Sequence, residues 1–522
     1  MPLTEVEFDA RDVQVLSQFV GKARIRQVQQ AGERVRDLLA GRVIWNVNST
    51  ATGGGVAEML RGLLPYVRGA GVDSRWLVIA GSEDFFRVTK RLHHALHGSP
   101  GDGSPLGEQE RAVLQAVADA NADEMLALVR ERDVVILHDP QTAALVPHLA
   151  GRGATVIWRS HIGTDTSNEE TELGWAFLRP YLGEAKALVF SRAQYVPAWH
   201  PDGSGGGRLS RLFRRLRLRS SRGLAAFIIP PSIDPLSPKN QDLSPGAGRD
   251  ILTYAGILEG PAEGLAPVYH RHDGSPARVD HRADVLRLGP APEPDDPLVV
   301  QVSRWDPLKD PSGVMRGFVG YLHRNDDSAA HLVLAGPSVR SIEDDPEQPE
   351  TMDRLITEWR ALPHGLRSRV HLVNLPMADI EENAAIVNAL QRHAAVVVQK
   401  SLREGFGLTV TEAMWKGRPV LASAVGGILE QIEDGVNGRL LSDPQDLGAF
   451  ARVLGELLRD GNLAEQLGAR ARQTVTEHFL PPRHLLDLAR LIEGVAGQKS
   501  PQPPRWNLRG RAPGLRDPQS SN

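Results

Sequence analysis

The chain has 522 residues, more than one hydrophobic core usually holds, so we expect at least two domains. Its 60 basic and 64 acidic residues give a net charge of -4, which excludes a global attraction to nucleic acid or an anionic membrane. The absence of cysteine excludes disulfides, thiolate catalysis and cysteine-ligated metals. A polar start unlike a signal peptide, and no long apolar run, predict a cytoplasmic protein without a membrane span.

Residues 1–40 predict a helical lead-in. After it, short apolar runs alternate with helical stretches, which is typical of a parallel, doubly wound α/β sheet. The runs of this first series are Val43–Val47, Trp76–Ile79, Val134–Leu137, Thr155–Trp158 and Ala187–Phe190. They predict an N-terminal Rossmann-like domain over residues 41–235, with an arginine-rich insert at 202–222.

A second series of apolar runs predicts a second α/β domain over residues 298–480. Its runs are Leu298–Val302, His331–Ala335, Val370–Val373, Ala395–Val398 and Pro419–Ala422. The stretch 236–297 is rich in Pro, Gly and charge and predicts a linker or insert, and 499–522 predicts a disordered tail. Two such sheets that face each other leave an interdomain cleft at the carboxyl ends of their strands, where ligands bind in this fold class.

Glu404 and Glu412 flank a glycine-containing segment that should open a helix at about Leu408. Glycine lets the backbone approach a ligand closely, and a helix N-terminus suits a diphosphate. Glu404 on the loop could accept hydrogen bonds from sugar hydroxyls, and Glu412 could hold ribose hydroxyls. A plain glycine turn before an amphipathic helix, with both glutamates in solvent, fits the spacing equally well.

Arg304 and Lys309 follow the first strand of the second domain. A guanidinium and an ammonium together can neutralise a pyrophosphate leaving group and stabilise the charge that develops on it. The alternative is a pair of surface cations on a loop.

The glycine loop Gly53–Gly55 lies between a strand and a helix. It is either a tight turn or a backbone nest for the donor phosphate or sugar. No lysine and serine or threonine follow it as in a nucleoside triphosphatase loop.

His138 and Asp139 directly follow one strand, and His161 closely follows the next. Both positions lie at strand carboxyl ends, where the cleft is expected. Asp139 could hold acceptor hydroxyls and His161 could contact the transferred sugar, although a lone histidine is often structural. Neither a zinc-binding histidine motif nor a serine-nucleophile elbow occurs.

These motifs together resemble the retaining GT-B glycosyltransferases of the glycogen-synthase and sucrose-synthase type. The resemblance is strongest to the trehalose synthase group, which joins glucose from a nucleotide-glucose donor to free glucose. EGFGLTVTEAMWKG at 404–417 marks the superfamily, and FFRVTKRLHHALHG at 85–98 points to the trehalose group. The resemblance implies two Rossmann-like domains facing a cleft, a front-face retaining mechanism, and a helix at 481–498 that returns to the N-terminal domain.

The resemblance also implies roles for individual residues. The predicted catalytic residues are His161, Arg304, Lys309 and Glu404. The predicted donor-binding residues are Gly54, Gly55, Arg304, Lys309, Glu404, Gly405, Phe406, Gly407, Leu408, Thr409 and Glu412. The predicted acceptor-binding residues are Asp139, Gln141, Glu83 and Lys90. No metal or cofactor is required, with a divalent cation as an optional stimulant, and the partners expected are a nucleotide-sugar donor, glucose and a second copy of the chain.

Two other functions stay open at this point. A trehalose phosphorylase would use the same fold with phosphate in place of a nucleotide. A non-catalytic regulator would bind the nucleotide sugar without turnover. The base of the donor and the acceptor sugar are not set by the sequence.

Overall fold

The structure is a computed structural model that describes residues 3–52, 54–201, 218–219, 224–261, 264–338 and 347–496. Gly53, the predicted disordered tail and most of the arginine-rich insert lie outside the described residues.

Strands and helices alternate along both halves of the chain. The strands are β1 (Thr4–Glu5), β2 (Ile44–Asn48), β3 (Ser74–Val78), β4 (Val134–His138), β5 (Thr155–Ser160), β6 (Ala187–Phe190), β7 (Leu218–Arg219), β8 (Ala225–Ile228), β9 (Val268–His270), β10 (Pro276–Arg278), β11 (Asp284–Leu286), β12 (Leu298–Val302), β13 (His331–Pro337), β14 (Val370–Leu375), β15 (Val396–Gln399), β16 (Val420–Ser423) and β17 (Arg439–Leu441). The helices are α1 (Ser17–Leu39), α2 (Gly55–Gly69), α3 (Glu83–Leu96), α4 (Glu108–Leu128), α5 (Leu145–Gly151), α6 (Glu169–Leu182), α7 (Pro245–Tyr254), α8 (Pro311–Leu322), α9 (Glu347–Ala361), α10 (His364–Arg367), α11 (Ile380–His393), α12 (Leu408–Trp415), α13 (Leu447–Arg459), α14 (Gly461–His478) and α15 (Pro481–Ala496).

The N-terminal sheet has the order β1-β3-β2-β4-β5-β6-β8-β7 and is parallel except for its two edge strands. Its inner strands are largely apolar because helices cover both faces, and the buried polar residues among them, such as Asn46 and Arg159, are the exceptions. The lead-in differs from the all-helical prediction, since Thr4–Glu5 pairs antiparallel with β3 and forms an edge of this sheet. The prediction of a doubly wound sheet is confirmed.

The C-terminal sheet has the order β11-β14-β13-β12-β15-β16-β17, with only β11 antiparallel. This confirms the second doubly wound sheet. The stretch predicted as a linker is structured where it is described: it holds α7, the hairpin β9–β10 and the edge strand β11. These elements are short and half exposed, so they carry little apolar periodicity.

Helix α15 packs on the N-terminal domain. Leu486 and Ile492 share one apolar core with Ile25 of α1 and Leu60 of α2. His484 of α15 also lies 3.1 Å from the guanidinium of buried Arg159, at the end of β5. The last described helix therefore supports the strand that leads into the cleft. None of the described helices combines the length and apolar character that crossing a membrane needs.

Candidate active site

The Glu404 loop connects the end of β15 to the start of α12. Gly407 caps α12 with φ 84°, a left-handed conformation that glycine adopts without strain. Gly426 lies against this loop with φ 53°, and a Cβ there would come within 1.7 Å of the Glu404 carbonyl oxygen. Close backbone packing therefore fixes the loop at the N-terminus of a helix, where the dipole favours an anion.

Three polar groups of the C-terminal domain contact the Glu404 carboxylate. Lys309 Nζ lies 2.7 Å from Oε2, Ser401 Oγ donates to the same oxygen at 3.1 Å, and Gln399 Nε2 lies 3.4 Å away. The side chain of Glu404 is only 9% exposed. Lys309 and Glu404 are thus in direct contact, although they lie 95 positions apart in the sequence. Both were predicted to bind the donor.

Arg304 lies on the same side of the cleft but pairs with Asp306, at 3.4 Å, rather than with Glu404. Burial would raise the pKa of the Asp306 carboxyl, but Arg304 and Lys309 lower it below its ordinary value. Asp306 therefore stays ionised between the two cations. A bound diphosphate would compete with it for both.

Asp310 stands directly after Lys309 in the sequence. It takes the left-handed conformation, with φ 50°, which aspartate tolerates better than most residues. Its carboxylate accepts the Gly313 N–H at the start of α8 at 2.9 Å and pairs with Lys400. The helix cap and ion pair offset the backbone strain, so the turn that presents Lys309 is kept without glycine.

The N-terminal domain meets the Glu404 loop directly. Tyr195 donates its hydroxyl proton towards the carbonyl oxygens of Gly405, at 2.6 Å, and Glu404, at 3.1 Å. The His161 carbonyl oxygen lies 2.9 Å from where a Cβ of Gly405 would be. Glycine at 405 is thus what lets the two domains approach at this point.

His161 is the end of a buried polar chain. Asn46 donates through its amide nitrogen to Ser74 Oγ at 3.3 Å, so its oxygen accepts from Nε2 of His138, at 3.3 Å. His138 Nδ1 then accepts from His161 Nε2, at 3.0 Å, which leaves Nδ1 of His161 unprotonated. Burial, aided by Arg159, holds the pKa of both histidines well below the ordinary range.

Asp139 holds the backbone of His161, whose N–H donates to Oδ1 at 2.7 Å. Burial raises the pKa of this carboxyl to about 7, against the opposing effects of that hydrogen bond and of Arg159. Asp139 also has φ 64°, outside the usual region for a residue with a side chain. Gln141 follows in a short 3-10 helix over Pro140–Thr142 and is half-buried.

Glu412 lies in a charged cluster that joins the two domains. Lys239 Nζ lies 3.0 Å from its Oε1 and donates to both oxygens of Glu58 in α2, at 2.9 and 3.0 Å. Burial raises the pKa of Glu412 to about 7; Glu58 adds to this shift, whereas Lys239 and Lys416 oppose it. The Glu412 side chain is 0% exposed. Ribose binding by Glu412 therefore stays a prediction and requires Glu58 or Lys239 to move.

The glycine loop packs against the start of α12. Gly54 has φ 77° and precedes α2, and a Cβ on Gly55 would lie 3.4 Å from Leu408 Cδ1. The sequence-predicted phosphate loop and helix N-terminus are thus neighbours across the cleft. Thr409 and Phe406 anchor the helix side: Thr409 Oγ1 donates to Gln399, at 3.1 Å, and Phe406 is buried.

Two predicted acceptor residues lie on α3. Lys90 is half-buried. Its charge helps to lower the pKa of Asp306, and Lys90 and Arg304 both help to lower the pKa of His93, so Lys90 lies near Asp306 and Arg304. Glu83 is exposed at the first residue of α3, two helical turns before Lys90, which is about 10 Å along the axis. The structure therefore brings Lys90, but not Glu83, to the wall formed by Arg304 and Lys309.

Comparisons with known proteins follow the same two-part division. Residues 46–197 match the family model "Trehalose synthase, N-terminal domain", and residues 287–474 match "Glycosyl transferases group 1". A trehalose synthase from Rubrobacter xylanophilus is 35% identical over 468 residues, which cover 88% of this chain and 93% of that protein. The chain belongs to the trehalose synthase family. A trehalose synthase from Pyrococcus horikoshii is 32% identical over 487 residues, covering 93% and 97% of the two chains.

Solved structures identify the fold of this family member as GT-B. An alpha,alpha-trehalose-phosphate synthase (UDP-forming) from Burkholderia xenovorans, in complex with glucose-6-phosphate, aligns with a TM-score of 0.61 at 15% identity. The alignment covers 85% of this chain and 98% of that one. The alignment supports two Rossmann-like domains, as the sequence predicted, while the matched family models and the trehalose synthases show that the chain is a glycosyltransferase.

Sequence reasoning did not single out two cleft residues of this trehalose synthase family member, Tyr195 and His97. Both contact the Glu404 loop from the other domain, across more than 200 sequence positions. A signal for His97 was present in the 85–98 stretch: His93 and His97 are four residues apart on α3 and its cap, so they share one face. Their rings are 4.8 Å apart.

Proposed function

We propose that this protein transfers a glucosyl group from a nucleoside diphosphate glucose to glucose, with retention of configuration, and forms trehalose. The observation that carries the proposal is the contact of Lys309 with Glu404 at 2.7 Å, on a loop that ends at a helix N-terminus and whose next residue, Gly405, lies against the His161 carbonyl. A cation and a sugar-binding carboxylate in one place suit a substrate that is anionic at one end and hydroxylated at the other.

In this reaction the bond between the anomeric carbon and the diphosphate oxygen breaks, and a bond to the acceptor hydroxyl oxygen forms on the same face. The acceptor proton passes to the departing phosphate oxygen, so no carboxylate nucleophile takes part. Lys309 and Arg304 stabilise the negative charge on the leaving diphosphate. Glu404 orients the glucosyl hydroxyls.

The acceptor would bind on the N-terminal wall of the cleft. On the same wall, His161 presents an unprotonated Nδ1 because its other nitrogen donates to His138, and Nδ1 can therefore accept a hydrogen bond from a hydroxyl of the transferred sugar. Asp139, Gln141 and Lys90 would complete the polar lining. Glu83, exposed and about 10 Å further along α3, would contact acceptor only if α3 shifts.

The test is a product assay with ADP-glucose or UDP-glucose and free glucose. We expect a non-reducing disaccharide and release of the nucleoside diphosphate. Glu404→Gln should abolish transfer, while Glu433→Gln, at an exposed position, should leave it unchanged. Donor hydrolysis alone contradicts the proposal. Formation of glucose 1-phosphate from trehalose and phosphate, without nucleotide, would identify a phosphorylase, and tight donor binding without turnover would identify a regulator.

A further inference from the structure

His97 caps the C-terminus of α3 and turns its ring towards the Glu404 loop. Its ring atoms Cε1 and Nε2 lie 3.5 and 3.9 Å from the position that a Cβ would occupy on Gly405. Its own carbonyl oxygen accepts from Arg403, the residue before Glu404. His97 as a whole is 7% exposed. His97 is therefore the part of the N-terminal domain that covers the start of this loop.

The hydrogen bond on the other side of the ring fixes which nitrogen carries the proton. Nδ1 lies 3.0 Å from the carbonyl oxygen of Gly163, and a carbonyl can only accept. Nδ1 is therefore protonated, and Nε2 of the neutral ring is an acceptor. No partner for Nε2 occurs among the residues that the structure describes.

The charges around His97 keep the ring neutral. Burial, and after it the charge of Lys309, lower the pKa of His97 to about 4, against the opposing effects of Glu404 and of the Gly163 hydrogen bond. The same influences show that the ring lies within electrostatic reach of both Lys309 and Glu404. A neutral acceptor pairs with a hydroxyl group and repels a phosphate or carboxylate oxygen.

We propose that His97 is a specificity residue of the donor site, whose Nε2 accepts a hydrogen bond from a hydroxyl of the glucosyl group held by Glu404. This inference rests on the proposed function, since it assigns one more contact to that same substrate. His97 belongs to the N-terminal domain and Glu404 to the C-terminal domain, so a bound donor sugar would contact both domains.

Two substitutions separate this role from a purely structural one. His97→Asn keeps an N–H at the place of Nδ1, so the bond to Gly163 is retained while the Nε2 acceptor is lost. His97→Gln carries an amide oxygen to about the place of Nε2. We expect kcat/KM for the donor to fall roughly tenfold in the Asn variant and to be largely restored in the Gln variant. The Asn variant should keep the melting temperature of the unmodified protein, whereas the Gln variant should lower it, because the Gly163 carbonyl loses its Nδ1 donor.

The decisive measurement pairs each variant with the monodeoxy analogues of UDP-glucose or ADP-glucose. One deoxy donor should be a poorer substrate for the unmodified protein but cause no additional loss in the Asn variant, because the lost hydroxyl and the lost acceptor belong to one hydrogen bond. The Gln variant is the opposite arm of the cycle: because its acceptor is restored, the same deoxy donor should again be the poorer substrate, as it is for the unmodified protein.

The possible failures are distinct. If the Asn variant matches the unmodified enzyme, or if its loss adds to that of every deoxy donor, His97 only holds Gly163 and the inference is wrong while the proposed function stands. If the unmodified protein neither transfers from nor binds either nucleotide sugar in a calorimeter, the proposed function fails and the role of His97 fails with it.

Discussion

Replacing Asp139 by Asn should make the protein more stable at high pH and less active. The carboxyl pKa is raised by burial from an ordinary value near 3.8 to about 7. The folded protein therefore binds a proton that the unfolded chain releases above pH 4, and stability is lost as pH rises from there to 7. At 1.36 kcal/mol per pKa unit, a shift of this size lowers the free energy of unfolding by about 4 kcal/mol at pH 8. Asn carries no such penalty and keeps the oxygen that accepts from His161.

The pH dependence is what tests this reasoning. Between pH 5 and pH 8 the stability advantage of Asp139→Asn over the unmodified protein should grow by about 2–3 kcal/mol, which urea unfolding at both pH values can measure. Asp139→Ala is the matched control: it should show the same pH dependence but lower stability throughout, by about 1–3 kcal/mol, because the His161 N–H loses its acceptor. An advantage that is equal at both pH values refutes the assigned pKa.

Further predictions concern the contact between the domains and the donor loop. Lys309→Met should raise the dissociation constant of ADP-glucose or UDP-glucose roughly tenfold or more, because a charge-assisted contact to the diphosphate is lost; an unchanged value by calorimetry argues against its role. Gly426→Ala should lower the melting temperature and donor affinity together, since its Cβ would overlap the carbonyl of Glu404; normal donor binding would show that the loop can shift. Tyr195→Phe should cost about 0.5–1.5 kcal/mol of stability in urea unfolding, because the half-buried carbonyl of Gly405 loses its hydroxyl donor and keeps only the Gly427 N–H; no change would mean that water replaces the hydroxyl.

Both sheets could be predicted from the sequence because their inner strands are buried on two faces. A run such as Leu298–Val302 is apolar at nearly every position, which is typical of a strand buried on both faces and differs from the periodic pattern of an amphipathic helix. The hairpin β9–β10 could not be predicted in the same way. Its strands have three residues each, and Val268 and His270 are exposed on either side of buried Tyr269, so no pattern of useful length exists.

The candidate site was partly predictable for a similar reason. Lys309 and Glu404 follow neighbouring parallel strands, and such strands end at one edge of a sheet, so their proximity is a consequence of topology. The burial of Glu412 was not predictable, because Lys239 and Glu58 come from other parts of the chain. The position of His97 depends on how closely the domains approach, which local sequence does not encode.

The most direct test of the proposed reaction is to follow the anomeric carbon itself. The protein is incubated with UDP-glucose or ADP-glucose labelled with carbon-13 at the anomeric position, together with unlabelled glucose, and the product is followed by NMR. We predict that the label appears directly in the α configuration of trehalose, with one nucleoside diphosphate released for each disaccharide. A β-configured product, or label found only in free glucose, would contradict retaining transfer to glucose at the Lys309 and Glu404 site.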